Sequence, residues 1–91
     1  MVVMLCRNRV ADFEKWKKVF DSNAQTSRDT GLRLMNLWRE VEEPNNVFFL
    51  FEVTDTDKAR AFITDPAAAE AGRKSGVLDG ECHFLEGSAD Y

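Results

Sequence analysis

The seven residues Val47-Phe48-Phe49-Leu50-Phe51-Glu52-Val53 decide the fold of this chain. A strand with one solvated face carries polar side chains at every second position, but six of these seven residues are hydrophobic. A chain of 91 residues has little left over to cover a second apolar face. The segment therefore predicts a strand that is covered on both sides, with a second copy of the chain as one of the covers.

The composition is that of an ordinary soluble globular domain, and we expect a single domain over residues 1–91. Hydrophobic residues make up 44% and charged residues 31% of the chain. No apolar run approaches the roughly 18 residues of a membrane span, and Arg7 interrupts the apolar N-terminus. We therefore expect a cytoplasmic protein without a membrane partner. The net charge of −4 also argues against phosphate neutralisation, so we expect no nucleic-acid partner.

Hydrophobic periodicity and turn residues place the other elements. Asp12 is a predicted N-cap for a helix that begins at Phe13, and Asp55 caps a second helical region that restarts at Pro66 and runs to Lys74. The turn at residues 43–46 joins two strands into a hairpin. The predicted strands cover residues 2–8, 32–41, 47–53 and 81–86.

Three further features complete the pattern. The first helix has an apolar stripe with a period of 3.6 residues, formed by Phe13, Trp16, Phe20, Ala24 and Ser27. Gly31 stands where a helix C-terminal glycine is expected. Gly76 and Gly80 are predicted to lie in the loop before the last strand.

The element order β-α-β-β-α-β predicts a ferredoxin-like α+β fold. Right-handed crossovers place both helices on one face of a four-stranded antiparallel sheet. Phe48 and Leu50 then share one sheet face, while Val47, Phe49, Phe51 and Val53 share the other. Pairing two bare faces around a two-fold axis would bury both, so we expect a homodimer.

Few residues suggest chemistry. His83 is the one histidine and is the candidate for proton transfer, with an exposed strand histidine as the alternative. No metal site is expected, because adjacent Cys82 and His83 point to opposite faces of a strand. Cys6 and Cys82 fall on neighbouring strands, and we expect two reduced thiols, with a redox role as the alternative.

Strand 32–41 supplies candidate ligand contacts. Alternation puts Trp38 on one face with Leu34 and Asn36, which suits a flat, partly polar ligand, although Trp38 could equally fill an interface. Arg39 is predicted on the other face with Met35 and Leu37. Across the central strands, Arg7 and Glu52 are expected to pair, in a structural or a catalytic role.

Several motifs resemble one family of small bacterial proteins. They begin with Arg7-Asn8-Arg9-Val10-Ala11-Asp12-Phe13, followed by Trp16-Lys17 and Phe20-Asp21. Further matches are Arg28 with Gly31, Pro44-Asn45, Glu52, Phe62 with Pro66, Gly76-Val77, Gly80 and Phe84-Leu85-Glu86. The chain resembles the dimeric α/β-barrel superfamily, which includes antibiotic-biosynthesis monooxygenases and stress-responsive α/β-barrel proteins.

This resemblance implies a dimeric α/β barrel and, in its cofactor-free monooxygenases, a phenolic substrate held by Asn, Trp, Arg and His side chains. Asn8, Trp38, Arg39 and His83 are residues of those types on predicted strands. Relatives often carry histidine where this chain has Asn8, so a proton-transfer role does not carry over to that position. No cofactor is expected.

Three functions follow as hypotheses. The first is binding of a small apolar or aromatic molecule, with or without cofactor-free monooxygenase-like catalysis, between sheet and helices or in the dimer barrel. The second is a non-enzymatic structural dimer with a filled barrel. The third is RNA recognition. RNA-recognition domains have the same element order, and Phe49 and Phe51 are spaced like the aromatic residues of their third strand. However, the Lys/Arg-Gly residues that precede those aromatics are missing here.

Overall fold

The computed structural model describes residues 1–23 and 30–90 of the chain. These residues form one four-stranded antiparallel sheet with strand order β2-β3-β1-β4. The strands are β1 (Val2–Val10), β2 (Leu32–Arg39), β3 (Asn46–Val53) and β4 (Val77–Glu86), and the helices are α1 (Phe13–Ser22), α2 (Thr56–Thr64) and α3 (Pro66–Lys74). The predicted ferredoxin-like α+β fold is confirmed.

The second helical region divides at Asp65, which ends α2 and begins α3. Its backbone N–H donates to the Phe62 carbonyl at 3.2 Å, and its carboxylate accepts from the Ala67 N–H at 2.9 Å. Pro66 then occupies the first position of α3, where its missing N–H leaves no helical hydrogen bond unmade. Asp12 and Asp55 cap α1 and α2 in the same way, as predicted.

The core lies between β3 and the helices. Val47, Phe49 and Phe51 point towards the helices, and Phe49 and Phe51 are only 7% and 5% exposed. Trp16 of α1 is 3% exposed and stacks on Phe20 with a centroid separation of 4.8 Å. Phe20 meets Phe49 edge-on at 5.2 Å, so the apolar stripe of α1 and the buried face of β3 form one aromatic cluster.

The opposite sheet face carries Phe48 and Leu50, which are half-buried. The strand register places Leu5 and Trp38 on the same side as these residues. We call this surface the open face, because no helix among the described residues covers it. The apolar character of both sides of β3 is confirmed.

A β-bulge at Met35 corrects the predicted alternation of β2. Leu34 lies opposite Phe51, but Asn36 lies opposite Leu50, so Met35 is the extra residue. Leu34 therefore shares the helix side with Leu37 and Arg39. Trp38 and Asn36 share the open face, and the prediction that Leu34 lies beside them is wrong.

The last strand begins earlier than predicted. β4 starts at Val77 and includes Gly80, which pairs with Asn8 of β1. The prediction that Gly80 lies in a loop is wrong, because the close approach of β1 requires a glycine within the strand. A Cβ at Gly80 would stand 2.8 Å from the Arg7 carbonyl oxygen and would overlap the Asn8 carboxamide.

The described part of α1 ends at Ser22 with Asn23 as its cap. The predicted continuation over Ala24 and Ser27, and Arg28 of the family resemblance, lie outside the described residues. Gly31 has the positive φ of 79° that its prediction required, and its carbonyl accepts from the Thr54 N–H at 2.8 Å. Every helix within residues 1–23 and 30–90 falls short of the length and apolarity needed to cross a membrane.

Replacing Gly31 by alanine is expected to destabilise the protein by about 1–3 kcal/mol, because the new Cβ would combine a positive φ with overpacking. That Cβ would stand 3.0 Å from both Cβ and the carbonyl oxygen of Asp55. Urea unfolding measures the effect. Gly72→Ala is the control, since its Cβ would meet Val77 at an ordinary 3.8 Å inside α3, where alanine favours the helix. Equal stability of the Gly31→Ala variant and the native protein would contradict this account.

Candidate functional site

A cavity of about 590 Å³ lies between the helices and the sheet. Its floor is formed by side chains of β1, β3 and β4, and its walls by α1, α2 and α3. Apolar groups dominate the lining, including Met4, Trp16, Phe49, Phe62 and Ala68. This volume is within the range of small-molecule sites, about 300–1,000 Å³. We call it the helix-side cavity.

Asn8 supplies an amide group to the floor of the cavity. It is partly exposed, and its carboxamide makes no side-chain hydrogen bond within residues 1–23 and 30–90. Gly80 leaves room for this amide, since a larger residue there would displace it. A free carboxamide in a mostly apolar cavity offers an NH2 group with two N–H donors and a carbonyl acceptor to a ligand.

Three other polar side chains around the cavity, those of Ser75, Arg73 and Glu81, already have partners. Asn23 also lines the cavity, but it is exposed at the C-cap of α1 and is not part of the floor. The Ser75 hydroxyl donates to the Gly72 carbonyl at 2.8 Å, and the Arg73 guanidinium donates to Glu70. Glu81 accepts hydrogen bonds from Arg7 on the open face. Asn8 is therefore a polar side chain of the floor that is free to meet a ligand.

Cys6 and Cys82 form a disulfide bond on the cavity floor. They are directly opposite each other in the β1–β4 register, with their Cα atoms 4.1 Å apart. The expectation of two reduced thiols is wrong, because the sheet register brings together two cysteines separated by 76 positions. The prediction that their strands are neighbours is confirmed.

A network of charged side chains lies at the β1–β4 side of the open face. The Arg7 guanidinium contacts Asp79 at 3.0 Å and Glu81 at 3.2 Å, and also donates to Asn46 at 2.8 Å. Arg9 contacts Asp79 at 2.7 Å, and His83 Nε2 lies 2.6 Å from Glu81. The network joins five charged or titratable groups of two adjacent strands: Arg7, Arg9, Asp79, Glu81 and His83.

Hydrogen bonding within this network shifts its pKa values. Hydrogen bonds from Arg9 and then Arg7 lower the pKa of Asp79. Hydrogen bonds with His83 and then Arg7 lower the pKa of Glu81. The same contacts, first with Asp79 and then with Glu81, raise the pKa of Arg7. Each shift favours the charged form of its group.

The structure separates the predicted site residues into two groups. Asn8 lines the helix-side cavity. The register places five others on the open face: Arg7, Asn36, Trp38, Glu52 and His83. Arg39 lies on the helix side, where its guanidinium is 3.9 Å from the Phe13 ring centroid and donates to the Pro44 carbonyl.

The predicted pairing of Arg7 with Glu52 is wrong. Arg7 lies opposite Phe48, whereas Glu52 lies opposite Val3, so the two positions are four residues apart along β3. Glu52 instead contacts Arg33 at 2.9 Å across β2 and β3. The partners of Arg7 are on β4, and the alternation Asp79-Gly80-Glu81 was the sequence signal for two carboxylates on one strand face.

Phe49 and Phe51 face the helices and are buried there, so they cannot stack on bases at the open face. Phe49 and Phe51 therefore share only their spacing with the aromatic residues of an RNA-binding strand. Cys82 and His83 lie on opposite faces, as predicted. Within residues 1–23 and 30–90, no group of three or more His, Cys, Asp or Glu residues is arranged to hold a metal ion.

Comparison with solved structures shows a fold shared with antibiotic biosynthesis monooxygenases. SnoaB of Streptomyces nogalater, a cofactor-independent oxygenase, superimposes with a TM-score of 0.73 and 19% identity, over 98% of this chain and 94% of that one. A candidate antibiotic biosynthesis monooxygenase from Bordetella bronchiseptica gives 0.76 at 10% identity, over 97% of each chain.

An uncharacterised NIPSNAP domain protein from Burkholderia xenovorans also shares the fold, with a TM-score of 0.68 and 17% identity over 98% of this chain and 96% of that one. The sequence itself matches no family model and no curated protein. At these identities the similarity shows the ferredoxin-like fold.

The charged network is expected to make stability depend on pH. The lowered pKa values of Asp79 and Glu81 mean that their contribution is present above the unfolded-state values, 3.8 and 4.5, and is lost as pH falls below them. Urea unfolding of the native protein and an Asp79→Asn/Glu81→Gln variant at one protein concentration tests this. We expect a smaller loss of stability on acidification for the variant.

Glu42→Gln is the control, because Glu42 is an exposed acid of the hairpin loop outside the network. Its pH profile is expected to follow that of the native protein. Parallel profiles for the native protein and the double variant would contradict the stabilising role of the network.

Proposed function

We propose that the protein binds a small aromatic molecule bearing a hydroxyl or carbonyl group in the helix-side cavity. The observation that carries the proposal is the free Asn8 carboxamide on the floor of a mostly apolar cavity. The apolar lining favours aromatic surface, and the amide fixes the position of one polar atom. Trp16 and Phe49 supply ring surfaces against which a planar ligand packs.

We further propose that this binding supports cofactor-free, monooxygenase-like chemistry. The support is the shared fold with SnoaB, which is a cofactor-independent oxygenase. In such a reaction the cavity would exclude water from an electron-rich phenol, and Asn8 would hold its oxygen by a hydrogen bond. Incubation of a polycyclic phenol under ¹⁸O₂, followed by mass spectrometry, tests for transfer of labelled oxygen to the product.

We also propose that the open face pairs with the same face of a second copy. The face has an apolar centre in which Leu5, Phe48 and Leu50 are half-buried and Trp38 is 47% exposed. The Arg33–Glu52 pair and the Arg7 network put both signs of charge around that centre. A face with an apolar centre and both charge signs is suited to pairing with itself around a two-fold axis.

A non-enzymatic dimer is the second candidate. The apolar centre of the open face supports it, because two such faces fill the space between the sheets with side chains. Ligand binding distinguishes the two functions, since the structural dimer requires none.

Asn8→Ala is expected to weaken binding of 1-naphthol, our probe, by about 2- to 13-fold, the loss of one hydrogen bond. Isothermal titration calorimetry measures the dissociation constants. Asn45→Ala is the matched control, because Asn45 is an exposed asparagine of the hairpin loop and does not line the cavity. An equal effect of both substitutions, or no binding by the native protein, would contradict the proposed site.

Trp38→Glu is expected to shift the protein from dimer to monomer, because it places a charge at the apolar centre of the open face. Size-exclusion chromatography with light scattering gives the mass, which for the native dimer is twice 10.4 kDa. Val41→Glu is the control, since Val41 is 94% exposed in the hairpin loop. A native protein that is monomeric at micromolar concentration would overturn the dimer.

A further inference from the structure

The Cys6–Cys82 disulfide joins two positions that the sheet already holds together. Backbone pairing of β1 with β4 extends on both sides of it, from Val2 opposite Glu86 to Val10 opposite Val77. The two cysteines are opposed by that register whether or not their sulfurs are bonded. We therefore expect the strand pairing to stay in place when the disulfide opens, so that the bond can form again between the same atoms.

The two cysteines differ in accessibility. Cys6 is 1% exposed in the central strand β1, under the helices. Cys82 is exposed and lies on β4, which is an edge strand and pairs only with β1 among the described strands. Thiol–disulfide exchange requires access to the sulfur that is attacked. Because Cys82 is exposed on the edge strand and Cys6 is buried, a thiolate from solvent reaches Cys82 more readily than Cys6.

We propose that Cys6–Cys82 is a reversible redox site that reacts with small-molecule thiols at the Cys82 sulfur. The attacking thiolate forms a bond to Cys82 Sγ, the disulfide breaks, and Cys6 leaves as a thiolate that takes up a proton. A second thiolate attacks the added sulfur and releases Cys82 as a thiolate, which also takes up a proton. In total, two small thiols are oxidised to their disulfide and the protein disulfide is reduced to two thiols.

This assignment is independent of the proposed ligand site, although both cysteines line the same cavity as Asn8. If no aromatic ligand binds, the redox site stands. If the disulfide proves inert, ligand binding is unaffected. The burial difference makes the redox inference specific, because it predicts which of two sulfurs carries the mixed disulfide.

The first experiment equilibrates the native protein with mixtures of reduced and oxidised glutathione, followed by thiol alkylation and mass spectrometry. We expect the disulfide to convert to two thiols while the far-ultraviolet circular dichroism stays native. Reduction that occurs only together with unfolding would overturn the proposal, because the bond would then be purely structural. Two free thiols in protein equilibrated with oxidised glutathione would overturn it as well.

The second experiment compares Cys6→Ala with Cys82→Ala, each treated with oxidised glutathione. The remaining Cys82 thiol is expected to form a mixed disulfide at least about tenfold faster than the remaining Cys6 thiol, because Cys6 is shielded. Equal rates would overturn the assignment of Cys82. If either variant fails to fold, the native protein is briefly reduced with glutathione instead, and the mixed disulfide is located by peptide mapping. We expect glutathione on Cys82 and not on Cys6.

Discussion

The contact between α1 and β3 is the interaction on which the rest of the structure depends. Trp16 and Phe20 pack on Phe49 and Phe51, and this aromatic cluster fixes which side of the sheet receives the helices. Because side chains alternate along a strand, that choice simultaneously puts Phe48 and Leu50 on the other side. A slip of one residue in β3 would exchange the two sets and remove the core. The register of β3 therefore determines where the cavity, the charged network and the open face lie.

The sheet divides the chemistry of the molecule between its two sides. The helix side holds the cavity, the free amide of Asn8 and the disulfide, while the open side holds the ion network and an apolar centre. Neighbouring residues of β1 therefore belong to different environments. Arg7 is held by two carboxylates of β4, whereas Asn8 points the other way and has no such partner. On this arrangement, the proposed binding inside each chain and the proposed association between chains would use separate surfaces.

Local sequence signals predicted the elements well, and long-range pairings poorly. Some features depend only on residues that are close in sequence, and these could be predicted. They are the capping aspartates Asp12 and Asp55 and the apolar residues on both faces of segment 47–53. The Met35 bulge, the Arg7–Asp79 pair and the disulfide depend on which residues of two strands stand opposite each other. That register is set by packing of the whole sheet, and a periodic pattern on one strand does not specify it. The sequence named Asn8 as a candidate and a site between sheet and helices as one alternative, but it did not predict that Asn8 lies in that site, because the walls come from three separate helices.

The small side chains of α3 have a consequence for how such a protein can diversify. The cavity wall that α3 provides consists largely of alanine and glycine, at Ala68, Ala69, Ala71 and Gly72. Exchanging one of these for a larger residue would reshape the chamber from a short surface helix without altering any strand. The sheet, which must satisfy both the core and the open face, is tightly constrained by comparison. Selection for binding of a different small molecule would thus act first on residues 66–74. The sheet could stay unchanged while the ligand specificity changes.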